Sequence, residues 1–482
     1  MNGHPRRKRP RAGGGLLIAI SWLAACAAPE PRPPSLIVIS IDSLRADRLS
    51  CYGAERSTSP AIDALAAEGT LFESVVAPSP WTLPSHVTLF TGLPVPAHRV
   101  GATERRIDEA RVLLPQHLSG LGYRTAAFVS APFLDRSYGF DRGFDLYRNF
   151  QPLDSPDPQV EDVHERSHRD SSAREVVDGA LAWLSSTPVE PDTPWFLFVH
   201  VWDVHFDYIP PAPYDTIFDP DYHGTVTGRD VRQDPRIVGN MPRRDLRHLR
   251  ALYDGEIRWV DSQLARLFDA IRQREELEPI AVTLVSDHGE EFFEHGNKGH
   301  YKTLFEESVR VPWIVRYPGQ VPVGARLAGI AGLEDVAPTL LGLAGLPPLL
   351  EATGQDLSAS LREGRSPDRP QLLTFQNQIG LRGPGWKVLA DHATGFGLYF
   401  DLSEDPREVD PVPVAVAAPE RLTRLRHRLR RAQAHAAQLP WNGDGELSLD
   451  EVAREQLRSL GYGETSSQDP YRHPTPEPGT SR

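Results

Sequence analysis

The stretch Leu36-Ile37-Val38-Ile39-Ser40-Ile41 is nearly continuous in apolar, β-branched residues, and Asp42 ends it abruptly. A strand with one wet face alternates polar and apolar positions. A run apolar on both faces belongs to a strand with layers packed above and below it. Runs of the same kind recur at 125–129, 195–199, 281–285 and 313–315. Helical patterns lie between them. The clearest covers 252–277, where Ile257, Val260, Leu264, Leu267, Phe268 and Ile271 form one stripe. Strands alternating with helices predict an α/β fold, a large mainly parallel sheet with helices on both faces. With 40% hydrophobic residues in 482, the chain has enough apolar mass to cover both faces. After Pro318 the texture changes. One more helix is expected at 334–346, a small sheet at 372–402 and an Arg-rich helix at 420–437, which together predict a small C-terminal α+β subdomain.

The first residues read as an address. Arg6, Arg7, Lys8, Arg9 and Arg11 precede a short apolar stretch, 13–25, in the layout of a secretory signal. That stretch is shorter than the ~18–20 residues of a spanning helix. It ends in Leu23-Ala24-Ala25-Cys26, which resembles a bacterial lipobox and predicts lipidation of Cys26. The expected organisation is a lipoprotein signal at 1–26, a Pro-rich tether at 27–34, a catalytic domain at 35–345, a C-terminal subdomain at 346–464 and a disordered tail at 465–482. The protein is then expected in the bacterial envelope, lipid-anchored, facing the periplasm or the exterior. The only other cysteine is Cys51, so a disulfide scaffold and a cysteine zinc site are excluded. A net charge of −13 argues against a nucleic-acid partner.

In open parallel sheets, ligands bind beyond the carboxyl ends of the strands. Three such ends carry Asp42, then His200 through Asp203 to His205, and Asp287-His288. Carboxylate oxygen with imidazole nitrogen suits Zn²⁺ or Mn²⁺, whereas Mg²⁺ and Ca²⁺ prefer oxygen alone. In Ser79-Pro80-Trp81-Thr82-Leu83-Pro84-Ser85-His86, Pro84 suits the first turn of a helix that Gly92 closes. Thr82 is expected just before that helix. There the amide groups and the dipole favour an anion, although Thr82 as a plain cap satisfies the same pattern.

These stretches, in this order, resemble the sulfatase family of the alkaline phosphatase superfamily. They run from Ile39 through Asp47 and Ser59 through Gly69 to Thr82 through His86 and Gly122 through Thr125. Asp203 to His205, Ser286 through Gly289, Glu306 through Pro312 and Tyr399 through Leu402 come after these in the chain. The departures are specific. The family's Cys-or-Ser that becomes formylglycine is Thr82, and its Arg four residues on is His86. The second Asp after the first strand is Ser43. A family lysine is missing where Ala127-Phe128-Val129-Ser130 stand. Threonine cannot yield the aldehyde, so the pattern looks like the threonine-using relatives that handle phosphoryl groups.

The resemblance implies an ester hydrolase with one divalent metal ion (Ca, Mg, Mn or Zn) held by Asp42, Asp287 and His288, with Thr82 completing the set and acting as nucleophile. His205 resembles the family's leaving-group histidine, and His300 and Lys302 are candidates for holding the ester's non-bridging oxygens, with His295 and Lys298 behind them. The substrate is a small-molecule, glycan or lipid ester. A head-group transferase and a non-catalytic binding protein are the alternatives. The rim is expected in the loops 149–174 and 208–244.

Overall fold

The computed structural model describes residues 1–3, 33–151, 172–190, 193–443, 445–460 and 462. The leader with Cys26, nearly all of the tether, most of the loop at 149–174 and the tail from 465 lie outside the described residues. The fold is that of the unit that begins at Pro33.

An eight-stranded sheet forms its centre. In chain order the strands are β1 (Ser35–Ile41), β2 (Thr70–Phe72), β3 (Arg124–Val129), β4 (Leu146–Asn149), β5 (Trp195–Val201), β6 (Ile280–Ser286), β7 (Trp313–Arg316) and β8 (Ala325–Leu327). They lie in the order β8-β2-β7-β6-β1-β5-β3-β4. Strands β6, β1, β5, β3 and β4 are mutually parallel. Strand β7, one of the runs read as a buried strand, is antiparallel to both its neighbours. Every residue of β1 is buried, and its side chains divide between two cores. Leu36 and Val38 pack into one with Phe196, Phe198 and Trp313. Ile37, Ile39 and Ile41 pack into the other with Leu264, Leu267 and Ile271. That division is why the run is apolar throughout.

The principal helices are α1 (Pro60–Glu68), α2 (Thr82–Thr91), α3 (Ala173–Ser186), α4 (Arg243–Glu275), α5 (Val336–Ala344), α6 (Pro419–Gln438) and α7 (Glu451–Ser459). Helix α4 starts nine residues before the apolar stripe expected from 252, because its first turns carry Arg and Asp on an outer face. Helix α2 is buried on every side, the condition of a helix inside a large core. A separate antiparallel sheet, β9 (Gln371–Phe375), β10 (Gln378–Gly383), β11 (Trp386–Asp391), β12 (Gly397–Asp401) and β13 (Val412–Pro413), runs in chain order. Leu422, Leu425 and Leu429 of α6 cover it. The chain then returns to the first core, where Leu449, Ala453, Leu457, Leu460 and Tyr462 are buried.

Candidate active site

Strands β1 and β6 are adjacent and parallel, with Ile41 opposite Ser286, so the residues after each lie side by side. One ligand atom from each of Asp42, Asp287 and His288 falls within a span of 4.8 Å. His288 Nε2 is 3.5 Å from Asp42 Oδ1 and 3.5 Å from Asp287 Oδ2. Thr82 Oγ1 lies 3.3 Å from Asp42 Oδ2 and 3.3 Å from His288 Nε2. All four side chains are at most 1% exposed.

The strand ends are locked by short-range bonds. Ser43 has a left-handed backbone, φ 54°. Its amide reaches Asp287 Oδ1 at 3.2 Å and its hydroxyl donates to Asp42 Oδ1 at 2.8 Å. The serine found where the family has a second Asp thus ties the two carboxylates together. Ser286 Oγ accepts the Leu44 amide and donates to the His288 carbonyl. His288 Nδ1 bonds the Gly289 carbonyl at 2.9 Å, which leaves Nε2 as the inward lone pair.

Two buried carboxylates this close repel unless a cation sits between them. Burial pushes the Asp42 carboxyl up to about 6, against the pull of a nearby His288. Asp287 Oδ2 is buried and has no hydrogen-bond partner. An orphaned oxygen, a second carboxylate and an imidazole lone pair converging on one point fit a divalent cation. Asp42, Asp287 and His288 therefore form a site for a single divalent metal ion.

Thr82 is the first residue of α2, one position inside the helix, and Trp81 stands in the capping position that the sequence suggested for Thr82. No capping side chain takes up the first amides of the helix. His86, one turn further on, faces the same cluster. Its Nδ1 bonds the Thr82 carbonyl at 2.9 Å and its Nε2 bonds Ser40 Oγ at 3.0 Å. Burial, with His200 close by, pushes His86 down to about 3. Held down in this way, the His86 imidazole is neutral and supplies no positive charge to the cluster.

The third strand end behaves differently from its neighbours. Asp203 accepts bonds from Ser172 Oγ, the Ala173 amide and Trp259 Nε1, and so caps α3 rather than joining the cluster. His200, one pleat back on β5, faces the cluster instead, with Nε2 3.4 Å from Asp42 Oδ2 and neither ring nitrogen hydrogen-bonded. Its side chain takes this direction from the register that pairs it with Ser40.

His205 and His300 stand next to each other, ring centroids 4.7 Å apart, and His300 is 4.3 Å from His288. His205 Nδ1 bonds the Phe206 carbonyl at 2.6 Å, and His300 Nδ1 bonds Glu290 Oε1 at 3.1 Å. Burial and the neighbouring His288 hold His300 well below the usual histidine range. Lys302 is exposed, and its charge opposes protonation of His300. His295 and Lys298 are engaged elsewhere: His295 bonds Glu307 at 2.5 Å and stacks on Phe305, and Lys298 Nζ bonds the Ile237 carbonyl at 2.7 Å.

Four residues around the histidines carry no sequence signal of their role: Glu290, Arg232, Asp207 and Tyr462. Glu290 lies two residues beyond His288, and burial raises its carboxyl well above the ordinary range. Arg232 brings positive charge to Glu290, His300 and Tyr462 from the loop between β5 and α4. Asp207 holds that loop by accepting the amides of Asp230 and Val231. Tyr462 reaches His300 from the far end of the chain. Arg232 is marked only by its place in a loop expected at the rim.

A sequence model of the Sulfatase family matches residues 34–346. Arylsulfatase K of Gallus gallus is 23% identical over 477 residues, covering 87% of this chain and 87% of the relative. N-acetylglucosamine-6-O-sulfatase of Bacteroides thetaiotaomicron is 23% identical over 486 residues, covering 82% of this chain and 86% of the relative. Among solved structures, a protein in complex with its substrate D-glucosamine-2-N,6-O-disulfate aligns with TM-score 0.69 at 18% identity, covering 86% of this chain and 100% of that one. The phosphonate monoester hydrolase of Agrobacterium radiobacter aligns with TM-score 0.66 at 21% identity, covering 86% and 100%. At these identities the structural likeness carries the fold, and the buried Asp42, Asp287 and His288 supply the metal-associated chemistry of an ester hydrolase. Matched over well more than half its length by the family's own sequence pattern, the chain belongs to the sulfatase family.

Proposed function

We propose that this hydrolase acts on phosphoric esters in preference to sulfuric esters, with Thr82 as nucleophile, and that Cys26 anchors it in the bacterial envelope by a lipid. The observation that carries the reading is the Thr82 hydroxyl, 3.3 Å from Asp42 Oδ2 and from His288 Nε2 at the first turn of a buried helix. Asp42, Asp287 and His288 would hold the cation. Bound there, a divalent ion supplies Lewis-acid chemistry, favouring the alkoxide form of a neighbouring hydroxyl and neutralising the ester's anionic oxygens.

Thr82 Oγ1 attacks phosphorus, and its hydroxyl proton passes to a water molecule as the O–P bond forms. The bond to the leaving oxygen breaks, His205 gives that oxygen a proton, and a neutral alcohol departs. Water then attacks phosphorus, the Thr82 Oγ1–P bond breaks, one proton of that water returns to Thr82 while the other stays on the departing phosphate, and His205 recovers its proton from solvent. His300 orients the ester oxygens beside His205. A formylglycine hydrate expels sulfate by collapsing to the aldehyde, an exit a threonine ester lacks. Phosphorus accepts a second attack readily, so the threonine favours a phosphoric ester or diester. Family membership and the sulfatase relatives keep a small sulfated glycan as the second substrate class.

The test is turnover of matched 4-nitrophenyl phosphate, phosphodiester and sulfate esters, alongside the metal content of the purified protein. Phosphoryl turnover with about one equivalent of divalent ion is expected. Robust sulfate turnover without phosphate turnover would show that the threonine has been misread. For the anchor, Cys26→Ser should move the protein from the membrane to the soluble fraction, and a wild-type protein already soluble would refute it.

A further inference from the structure

The described side chains of the site are shut off from solvent. Asp42, Thr82, Asp287, His288, His205 and His300 are each at most 1% exposed, and Tyr462 beside the two histidines is 2% exposed. Its hydroxyl lies against Nε2 of His300 and 3.3 Å from Nε2 of His205. Its ring is edge-on to Phe133 at 4.6 Å and to Tyr301 at 5.1 Å, with Trp81 at 6.2 Å. The two imidazoles assigned to the ester's oxygens are thus in contact with a phenol, which is itself the alcohol product of an aryl ester.

Among the described residues, few polar bonds hold this strap to the rest of the protein. The Tyr462 amide bonds the Leu457 carbonyl, Arg232 bonds the Leu460 carbonyl at 3.2 Å, and Gln233 bonds the Ser459 carbonyl at 3.3 Å. Leu457, Leu460 and Tyr462 are its main apolar anchors. The outer face of α7 carries Glu451, Arg454, Glu455 and Arg458, all exposed. A short helix with a charged outer face and few polar ties among the described residues belongs to the part of a protein that opens locally without global unfolding.

We infer that Tyr462 occupies the leaving-group position of the site and controls access to it, so that an ester reaches Thr82 only when the strap ending in Tyr462 lifts. The leaving-group assignment rests on the reading of His205 above. The closure itself does not, and the test separates the two.

Diethyl pyrocarbonate acylates accessible neutral imidazoles, and peptide mass spectrometry reads each histidine separately. In the full-length protein, exposed His223 should react fast and His205 and His300 slowly. In Tyr462→Ala, labelling of His205 and His300 should rise about tenfold or more, with His223 unchanged and buried His98 still protected; tenfold corresponds to ~1.4 kcal/mol in the opening equilibrium. The same variant should raise kcat/KM for a 4-nitrophenyl ester, mainly through KM. Equal labelling in wild type and Tyr462→Ala would overturn the closure. A fall in kcat for both Tyr462→Phe and Tyr462→Ala would instead make the phenol part of the reaction machinery and overturn the inference. Faster labelling with no turnover of any ester in either protein would leave the strap standing and remove the proposed function. Should His98 label as well, signalling unfolding, Tyr462→Phe decides: faster labelling of His300 supports the strap, and an unchanged rate refutes it.

Discussion

Thr82 decides whether the reaction runs through a covalent ester on the protein or by direct attack of water. Thr82→Ala removes the hydroxyl that approaches Asp42 and His288, and turnover should fall to near zero while the fold survives. The helix loses no cap, since Trp81 and not Thr82 is in the capping position. Thr82→Ser keeps the oxygen and should retain partial activity. Mass spectrometry of wild-type protein quenched during turnover should find phosphate on Thr82, and an active Thr82→Ala enzyme would assign the attack to water. Asp42 sets the pH dependence of metal binding. In the metal-free protein its carboxyl is raised to about 6, and the cation requires the ionised form. Affinity should therefore fall as pH drops through about 6 and level off above it, as titration calorimetry with Mn²⁺ would read. Asp287→Asn, which leaves a single ionised ligand beside His288, should lower affinity by roughly 10–100-fold or more.

At the scale of elements, the nucleophile depends on how α2 begins and ends. Gly92 terminates the helix at φ 65°, and a Cβ there would lie 2.7 Å from the Ala352 Cβ. Gly92→Ala therefore meets both a left-handed backbone and a clash with a neighbouring chain segment. It should destabilise the protein by at least about 1 kcal/mol, seen as a lower urea midpoint at unchanged slope. Helix α3 depends on Asp203 in a comparable way: the carboxylate bonds both Ser172 Oγ and the Ala173 amide. This is why a third acidic strand end does not become a third carboxylate ligand. An aspartate beside an uncapped helix start gains two or three hydrogen bonds there, without the repulsion it would meet beside Asp42 and Asp287.

Across the whole molecule, a buried lysine ties the C-terminal sheet to the segment that leads into β7. Lys387 of β11 is fully buried, with Nζ 2.9 Å from Glu306, 2.8 Å from Glu408 and 2.9 Å from the Leu304 carbonyl. Lys387→Met would strand the buried Glu408 carboxylate, while Glu306 keeps Arg382, and should cost about 3–5 kcal/mol of unfolding free energy. The two partners respond to pH in opposite senses. Arg382 and Lys387 hold Glu306 far below its ordinary range, so its contribution is present above about 4.5 and is lost in acid. Burial raises Glu408 from 4.5 to about 7, so its contribution is complete below 4.5 and is lost as pH rises through about 7. Glu408→Gln should flatten the fall in melting temperature between about pH 4.5 and about pH 7 relative to wild type, and an unchanged profile would contradict this assignment.

Much of the site was legible because its determinants are local. An apolar run that ends in Asp or Asp-His marks the carboxyl end of a buried strand, and parallel strands bring such ends to one edge of the sheet. That pattern brought forward Asp42, Asp287 and His288 together with His200, Asp203 and His205, and the family resemblance singled out the three; the α/β architecture emerges from the alternation of runs and stripes. The reversal of β7 was not legible, because a strand buried on both faces has the same composition in either direction. Nor was the choice of His200 over Asp203, which turns on register: the pleat of β5 aims His200 at the cluster, while Asp203 finds a helix to cap. Tyr462 is the extreme case. It lies more than 160 residues from His300 in a polar stretch, and its burial arises only when its ring packs against Phe133 and Trp81. Strand-end chemistry is encoded within a few residues of the chain, whereas the closing of the site is a long-range packing event with no local periodicity to announce it.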